Sequence, residues 1–345
     1  MSNITVIGAG MMGSAMSLPA SDNGHRVTIV GTHLDRELIE HAKKTGEHLT
    51  MRRPLPRGVE FLQLESLEKA VRDADLVIGG VSSFGVDWFA EYAVPRIPAH
   101  IPILSVTKGL LDMPDGTLRS FPDLLREADG GKHTFCAVGG PCTSYELADR
   151  RHSAVAFCGD DIAALERMRS MLRTGYYHIS LSTDVIGVEC AVAMKNAYAL
   201  AVSLAIGMIE REEGEGATLA YNPQAALFGQ SVREIAKILA LVGGGAQNIV
   251  YAAGDLYVTI FGGRTRKLGT LLGRGLPLAE AMERLSGVTL ESVVIAERTI
   301  RAVEARARAG DVDKRDFPLL FHIGKLLSGA TGVPIPWEAF EVVEA

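Results

Sequence analysis

Several clusters in the 345-residue chain have residue types and spacings suited to chemistry. The first is Gly8-Ala9-Gly10-Met11-Met12-Gly13, which follows the apolar run Ile4-Thr5-Val6-Ile7 and precedes Ser14-Ala15-Met16. A G-x-G-x-x-G set between a strand and a helix suits a dinucleotide. Gly8 permits the tight turn, Gly10 lets the backbone approach a pyrophosphate, Gly13 allows close helix packing, and the helix N-terminus favours the anion. The alternative is a glycine turn with a purely structural role. An acid about 20 residues further on would hold the ribose of NAD, but Val27 to Val30 leads into Gly31-Thr32-His33 instead. Asp35 comes slightly late, and Arg36 is placed to face a 2′-phosphate, which favours NADP over NAD unless both are solvated loop charges.

Two further clusters follow apolar runs that read as strands. Lys108, in Ser105-Val106-Thr107-Lys108-Gly109, would stand at the carboxyl edge beside a cofactor, or be a surface lysine. Gly139-Gly140-Pro141-Cys142 holds an equivalent place, where its amides suit a phosphate or simply make a turn. Met194-Lys195-Asn196 lies in an otherwise apolar helical run. A charge there is expensive unless it is paired or faces a cleft, and lysine near a carbonyl acts as general acid or base, although a lysine can also snorkel to the surface. Gly254-Asp255-Leu256 and Thr259 come next, then Gly262-Gly263-Arg264-Thr265-Arg266-Lys267. Three cations in four residues after a glycine pair suit a phosphate, with arginine supplying a bidentate fork; a solvated basic loop is the plain alternative.

The elements that must position these residues fall into two halves. Strands are expected at Ile4 to Ile7, Val27 to Val30, Leu76 to Gly79, Ile103 to Val106, Thr134 to Val138 and Ala154 to Phe157, separated by amphipathic or turn-rich segments. That alternation predicts βαβ units and a doubly wound, mainly parallel α/β sheet, whose ligands sit outside the strands' carboxyl ends. From Gly187 onward the pattern becomes helical, with helices expected at Val188 to Met208, Ala225 to Leu241, Leu278 to Leu285 and Leu290 to Ala309, and exposed loops at Glu210 to Gly216 and Val242 to Ala246. The expected division is residues 1–184, a Rossmann domain binding NAD(P), and residues 185–345, an all-α domain for substrate and catalysis.

Composition narrows the classes. Hydrophobic residues at 47% and charged residues at 22% are ordinary globular usage and argue against disorder. With 35 Lys and Arg against 41 Asp and Glu, the net charge is −6 and no long basic run exists, so a general nucleic-acid surface has no support. The four cysteines, Cys136, Cys142, Cys158 and Cys190, lack C-x-x-C spacing, which fits a reducing cytoplasm. Neither a signal peptide nor a membrane span is expected. The nine histidines lack metal-ligand spacing, so no metal is expected; His25, His33, His178 and His322 read as structural or surface residues, His33 being the exception at the cofactor edge.

In this order, Gly8 to Gly13, Lys108-Gly109, Gly140-Pro141, Lys195-Asn196, Gly254-Asp255-Leu256 with Thr259, and Gly263-Arg264 resemble NAD(P)-dependent glycerol-3-phosphate dehydrogenase over nearly the whole chain. The resemblance implies reversible reduction of dihydroxyacetone phosphate to sn-glycerol 3-phosphate in a cytoplasmic homodimer. It implies Lys195 as the catalytic acid and base, Asp255 as its supporting carboxylate, and Lys108 as a polarising or positioning group. Arg264 would pair with the substrate phosphate and reach the cofactor, and Gly140 and Cys142 match a substrate-contacting loop. Asn196, Thr259, Gly263 and Thr265 complete the implied substrate set. Met11, Met12, Thr32, His33, Lys108, Ser144, Thr289 and Glu291 join the three glycines on the cofactor side. Hydride transfer needs no protein nucleophile, so the lack of a Ser/His/Asp set is no obstacle.

The chain departs from the family pattern at Thr265, where asparagine is common, at Cys142, where serine is usual, and through Cys142-Thr143-Ser144-Tyr145. These are substrate-side changes. They keep open a related reductase for another ketose phosphate or hydroxy acid, while a nucleotide-sensing protein without turnover would be indifferent to Lys195→Ala.

Overall fold

The fold is described from a computed structural model of the chain, covering residues 1–285 and 290–342. Thr289, named above on the cofactor side, lies outside the described residues. The chain forms two compact units, Met1–Gly109 with Ser120–Glu189, and Leu110–Arg119 with Cys190–Ala345. In chain order the strands are β1 (Asn3–Ile7), β2 (Arg26–Val30), β3 (Glu47–His48), β4 (Arg53–Pro54), β5 (Glu60–Leu62) and β6 (Leu76–Gly79). They continue as β7 (Ile103–Ser105), β8 (Leu110–Asp112), β9 (Leu118–Ser120), β10 (Phe135–Gly139), β11 (Ser153–Cys158) and β12 (Tyr177–Ser182).

The first unit holds an eight-stranded sheet in the order β12-β11-β10-β7-β6-β1-β2-β5. Its pairs are parallel except β10 with β11. All six strands expected from sequence are present, and the doubly wound, mainly parallel sheet is the observed one. Strands such as β6, buried along its whole length, read as apolar runs because both faces are covered. β1 lies between β2 and β6, so successive connections leave it in opposite directions. That reversal opens a crevice at the carboxyl end of β1, where the glycine turn begins. Sequence reasoning missed two strands of this sheet, along with the short pairs β3-β4 and β8-β9. β5 is a three-residue strand at one sheet edge, and β12, at the other edge, alternates buried and exposed residues over its first four positions.

The second unit is built on Val185–Glu213, whose first turns fall in the first unit, followed by Tyr221–Leu241, Ile249–Thr259, Gly263–Gly273, Leu278–Arg284, Glu291–Ala309 and Pro318–Leu327. Three of these helices were not expected: Ile249–Thr259, Gly263–Gly273 and Pro318–Leu327. Gly263–Gly273 turns the supposed basic loop into the first turns of a helix. Its glycines lower helix propensity, yet packing requires them. A Cβ on Gly269 or Gly273 would collide with the carbonyl oxygen of Leu200 or Leu204, and one on Gly207 with that of Thr270. The helices carrying Lys195 and Arg264 therefore meet backbone to backbone.

Other expectations change in detail. The Glu210 to Gly216 segment is helical through Glu213 and loop only from Gly214, whose φ of +100° ends the helix. A single cut at 184/185 also misses that Leu110–Arg119 groups with the helical unit. The tie is non-local: Arg301 grips Asp112 at 2.6 and 3.0 Å, and Arg298 donates to the Leu110 carbonyl at 2.8 Å. Val185–Glu213 is long and apolar enough to cross a membrane by length and composition, but 78% of its most apolar window is buried inside the protein.

Candidate active site

The glycine turn follows β1 as its residue types require. Gly8 has φ +106°, and a Cβ there would stand 2.8 Å from Gly80 O. A Cβ on Gly13 would stand 2.6 Å from Gly8 O and 3.1 Å from Gly80 Cα. Both positions are closed to side chains by the protein itself. Gly10 differs: its nearest neighbour, Gly80 O, would lie at 3.7 Å, an ordinary contact. Nothing in the protein demands a glycine there, so the bare backbone suits the approach of a ligand. Gly10 is also the N-cap of Met11–Ala15, with no side-chain cap, which leaves first-turn amides for an anion. Met11 and Met12, on that turn, are half-buried against the sheet core.

At the end of β2, the four residues weighed for the cofactor side, Thr32, His33, Asp35 and Arg36, each have partners within the protein. Asp35 Oδ2 accepts from Ala9 N at 3.0 Å, Thr32 N at 2.8 Å and Thr32 Oγ1 at 2.8 Å. Asp35 is thus neither a ribose acid nor a solvated charge but a brace between two turns. The Thr32 hydroxyl spends its proton on that brace and accepts from Leu34 N at 3.3 Å. Arg36 pairs with Glu65. His33 is exposed and packs against Trp88, ring centroids 5.5 Å apart.

Lys108 and Gly140 come together, Lys108 Nζ donating to Gly140 O at 2.9 Å. Gly140 has φ +113°, in the left-handed region. Cys142 is half-buried, and Ser144 is buried in the first turn of Ser144–Ala148, whose N-cap Thr143 accepts from Glu146 N. Sequence reasoning passed over Glu189. Its side chain is fully buried with both carboxyl oxygens lacking a hydrogen-bond partner. Burial pushes its pKa up to about 8 against the pull of the Lys108 ammonium. The signal was present, since an acid in Val188-Glu189-Cys190-Ala191 is as anomalous as Lys195 a few residues later.

In the second unit Lys195 Nζ donates to Asp255 Oδ1 at 2.6 Å, with the two side chains 15% and 1% exposed. The lysine is therefore paired and does not snorkel. Asn196 follows it, half-buried. Thr259 lies one turn beyond Asp255 and donates its hydroxyl proton to the Asp255 carbonyl at 2.7 Å, leaving the oxygen able to accept. Gly263, Arg264 and Thr265 form the first turn of Gly263–Gly273, with Arg264 exposed and Thr265 half-buried. Glu291 is the exposed first residue of Glu291–Ala309.

Two family models match the chain, the N-terminal region of NAD-dependent glycerol-3-phosphate dehydrogenase over residues 3–164 and its C-terminal region over 184–334. An NADP(+)-dependent glycerol-3-phosphate dehydrogenase of Archaeoglobus fulgidus is 32% identical over 86% of this chain and 89% of that enzyme. A glycerol-3-phosphate dehydrogenase [NAD(P)+] of Bacillus velezensis is 28% identical over 85% and 82%. Among solved structures, glycerol-3-phosphate dehydrogenase from Coxiella burnetii shares the fold, with a TM-score of 0.78 at 22% identity over 98% of this chain and 97% of that one.

Proposed function

This chain belongs to the NAD(P)-dependent glycerol-3-phosphate dehydrogenase family, and from that premise we propose how its residues divide the interconversion of dihydroxyacetone phosphate and sn-glycerol 3-phosphate. The protein is an NAD(P)-dependent oxidoreductase acting on a CH–OH group. The turn Gly8–Gly13 would hold the pyrophosphate, the open face of Gly10 and the uncapped first-turn amides being the features that fit it. The bound dinucleotide supplies the hydride.

Every other task falls to side chains. Lys195 gives its proton to the alkoxide forming from the ketone and takes it back in the reverse direction. Asp255 accepts from the ammonium at 2.6 Å and so fixes where that proton points. Lys108, anchored on the Gly140 carbonyl, positions the substrate, and Arg264 with the first-turn amides of its helix meets the phosphate. Asn196, Thr259, Thr265 and Cys142 contact the rest of the substrate. Ser144 and Glu291 serve the cofactor side.

The observation that carries this reading is the Lys195–Asp255 pair, a charged couple in an apolar helix bundle at proton-transfer distance. Stability does not require such a pair, because apolar replacement of a buried ion pair is often neutral or better. NADP is the favoured dinucleotide. Asp35 is turned inward and presents no acid to a ribose 2′-hydroxyl, while His33 stands exposed at that edge. The sparse cysteines, without C-x-x-C spacing, support a reducing, cytoplasmic setting, and a homodimer is the expected assembly.

The test follows loss of reduced-nicotinamide absorbance with dihydroxyacetone phosphate and either NADH or NADPH, with unphosphorylated dihydroxyacetone as control. Rapid turnover is expected only with the phosphate present, faster with NADPH. Folded protein that binds a dinucleotide yet turns over a different ketose phosphate would shift the assignment to a related reductase, in line with the departures at Cys142 and Thr265.

A further inference from the structure

The turn carrying Gly10 is fixed one peptide at a time, and one of its bonds comes from a side chain with no part in the chemistry described so far. Gly8 N–H donates to Val30 O at 2.8 Å, and Gly10 C=O accepts from Ser14 N at 2.9 Å. Between them, Ala9 N–H donates to Asp35 Oδ2 at 3.0 Å, and Ala9 C=O accepts from His48 Nε2 at 2.9 Å. A trans peptide points its C=O and N–H in opposite directions, and no described peptide is cis. Holding the Ala9 carbonyl therefore aims the Gly10 N–H away from His48, in company with first-turn amides that no side chain caps.

His48 is built for this task. It is 3% exposed, on β3, and Met51 N–H donates to its Nδ1 at 3.0 Å. Nδ1 thus offers its lone pair, so the ring proton sits on Nε2 and is donated to Ala9 O. Burial holds the imidazole below its usual range, with the facing charge of His41 pushing the same way and that of Asp35 pushing back.

We propose that His48 is a positioning residue for the dinucleotide: as a neutral, Nε2-protonated imidazole it orients the Ala9–Gly10 peptide toward the pyrophosphate, with Asp35 holding the preceding peptide. This rests on the reading that the Gly8–Gly13 turn holds the dinucleotide. Both bonds run to the backbone of the turn, which would meet the pyrophosphate that NADP and NAD share, so the effect is expected to be common to both.

Two substitutions of similar polarity separate the role from mere packing. His48→Gln carries an amide nitrogen to about where Nε2 stands and keeps the bond to Ala9. His48→Asn reaches only the Nδ1 position, keeping the acceptor for Met51 but losing Ala9. Dissociation constants for NADH and NADPH are measured by fluorescence titration, with melting temperatures and kcat at saturating coenzyme alongside. His48→Asn is expected to weaken both coenzymes roughly tenfold and by the same factor, the cost of one lost hydrogen bond at a buried carbonyl. Its kcat should be unchanged, and His48→Gln should bind like wild type.

Wild-type affinity in His48→Asn, or equal weakening in His48→Gln, overturns the proposal. So does a loss confined to NADPH, which would put His48 at the 2′-phosphate. A wild-type protein that binds neither dinucleotide overturns the underlying reading and this inference with it. If His48→Asn does not fold, the pH dependence of NAD+ affinity decides. A proton on Nδ1 would set donor against donor at Met51, so wild-type affinity should fall toward acid pH while His48→Gln shows no such limb; the same limb in both refutes the role.

Discussion

Glu189 in the first unit and Glu234 in the second are both fully buried carboxyls on helices, and opposite arrangements keep them there. Glu234 is saturated with donors. Its Oε1 accepts from Gln230 Nε2 at 2.8 Å and Leu319 N at 2.7 Å, and its Oε2 from Tyr198 OH and Leu320 N, each at 2.9 Å. The carboxyl thereby caps the first turn of Pro318–Leu327 and ties three helices together, the third being Val185–Glu213 through Tyr198. Glu189 has no hydrogen-bond donor on either oxygen; burial and the charge of Asp123 push its pKa up while the charge of Lys108 pulls it down. A fold gains nothing from a buried acid left in that state. With its pKa pushed up to about 8, Glu189 is mostly neutral near pH 7 and does not cancel the charge of Lys108. Satisfied burial makes Glu234 a structural joint, which the unsatisfied Glu189 is not.

The largest effect is expected from upsetting the third buried carboxylate, Asp255, which has a cation where Glu234 has neutral donors. Lys195→Ala removes the proposed proton donor, and turnover should fall by about 10²- to 10⁴-fold, while dinucleotide affinity stays at the wild-type value. It also strips the ammonium from a carboxylate that is 1% exposed, which should lower unfolding stability by about 3 kcal/mol. Adding Asp255→Asn should restore most of that stability and none of the rate. Urea melts and steady-state rates on the single and double variants check this. Turnover that survives Lys195→Ala would place the general acid elsewhere.

A smaller effect tests the capped carboxyl directly. In Glu234→Gln one oxygen becomes an NH2 group, which must face either Leu319 N or Leu320 N, donor against donor. The expected cost is about 1–3 kcal/mol in unfolding free energy, with kcat unchanged. A variant as stable as wild type would mean that Glu234 carries a proton of its own and is no saturated acceptor.

How much of this was legible in the sequence follows the range of the interactions. The β1 strand, its glycine turn and the Lys195 anomaly are local patterns, and each appears where the residues indicated. The Asp35 brace spans 26 residues and the His48 bond 39, so Asp35 reads locally as a late ribose acid and His48 carries no local signal. Gly263–Gly273 is a helix with no local signal, since its glycines oppose helix formation, while the backbone contacts that favour them come from residues 200, 204 and 207. Leu110–Arg119 joins the helical unit through Arg298 and Arg301, nearly two hundred residues away, which no periodicity reports.

The subtlest effect, Glu189→Gln, reverses the sign of the Glu234 result. Glu189 binds its proton more tightly in the folded chain, near pH 8, than in the unfolded chain, where a carboxyl titrates at its ordinary 4.5. Folding therefore takes up a proton between those values, and this group's contribution to stability falls as pH rises through the window. The isosteric amide has no proton to lose. Wild type and Glu189→Gln should melt together below about pH 4.5, and the variant should melt progressively higher as pH approaches 8. Thermal melts across that range decide it. A variant that melts lower than wild type at the alkaline end would show an ionised, well-partnered Glu189, and the contrast with Glu234 would collapse into two versions of the same structural joint.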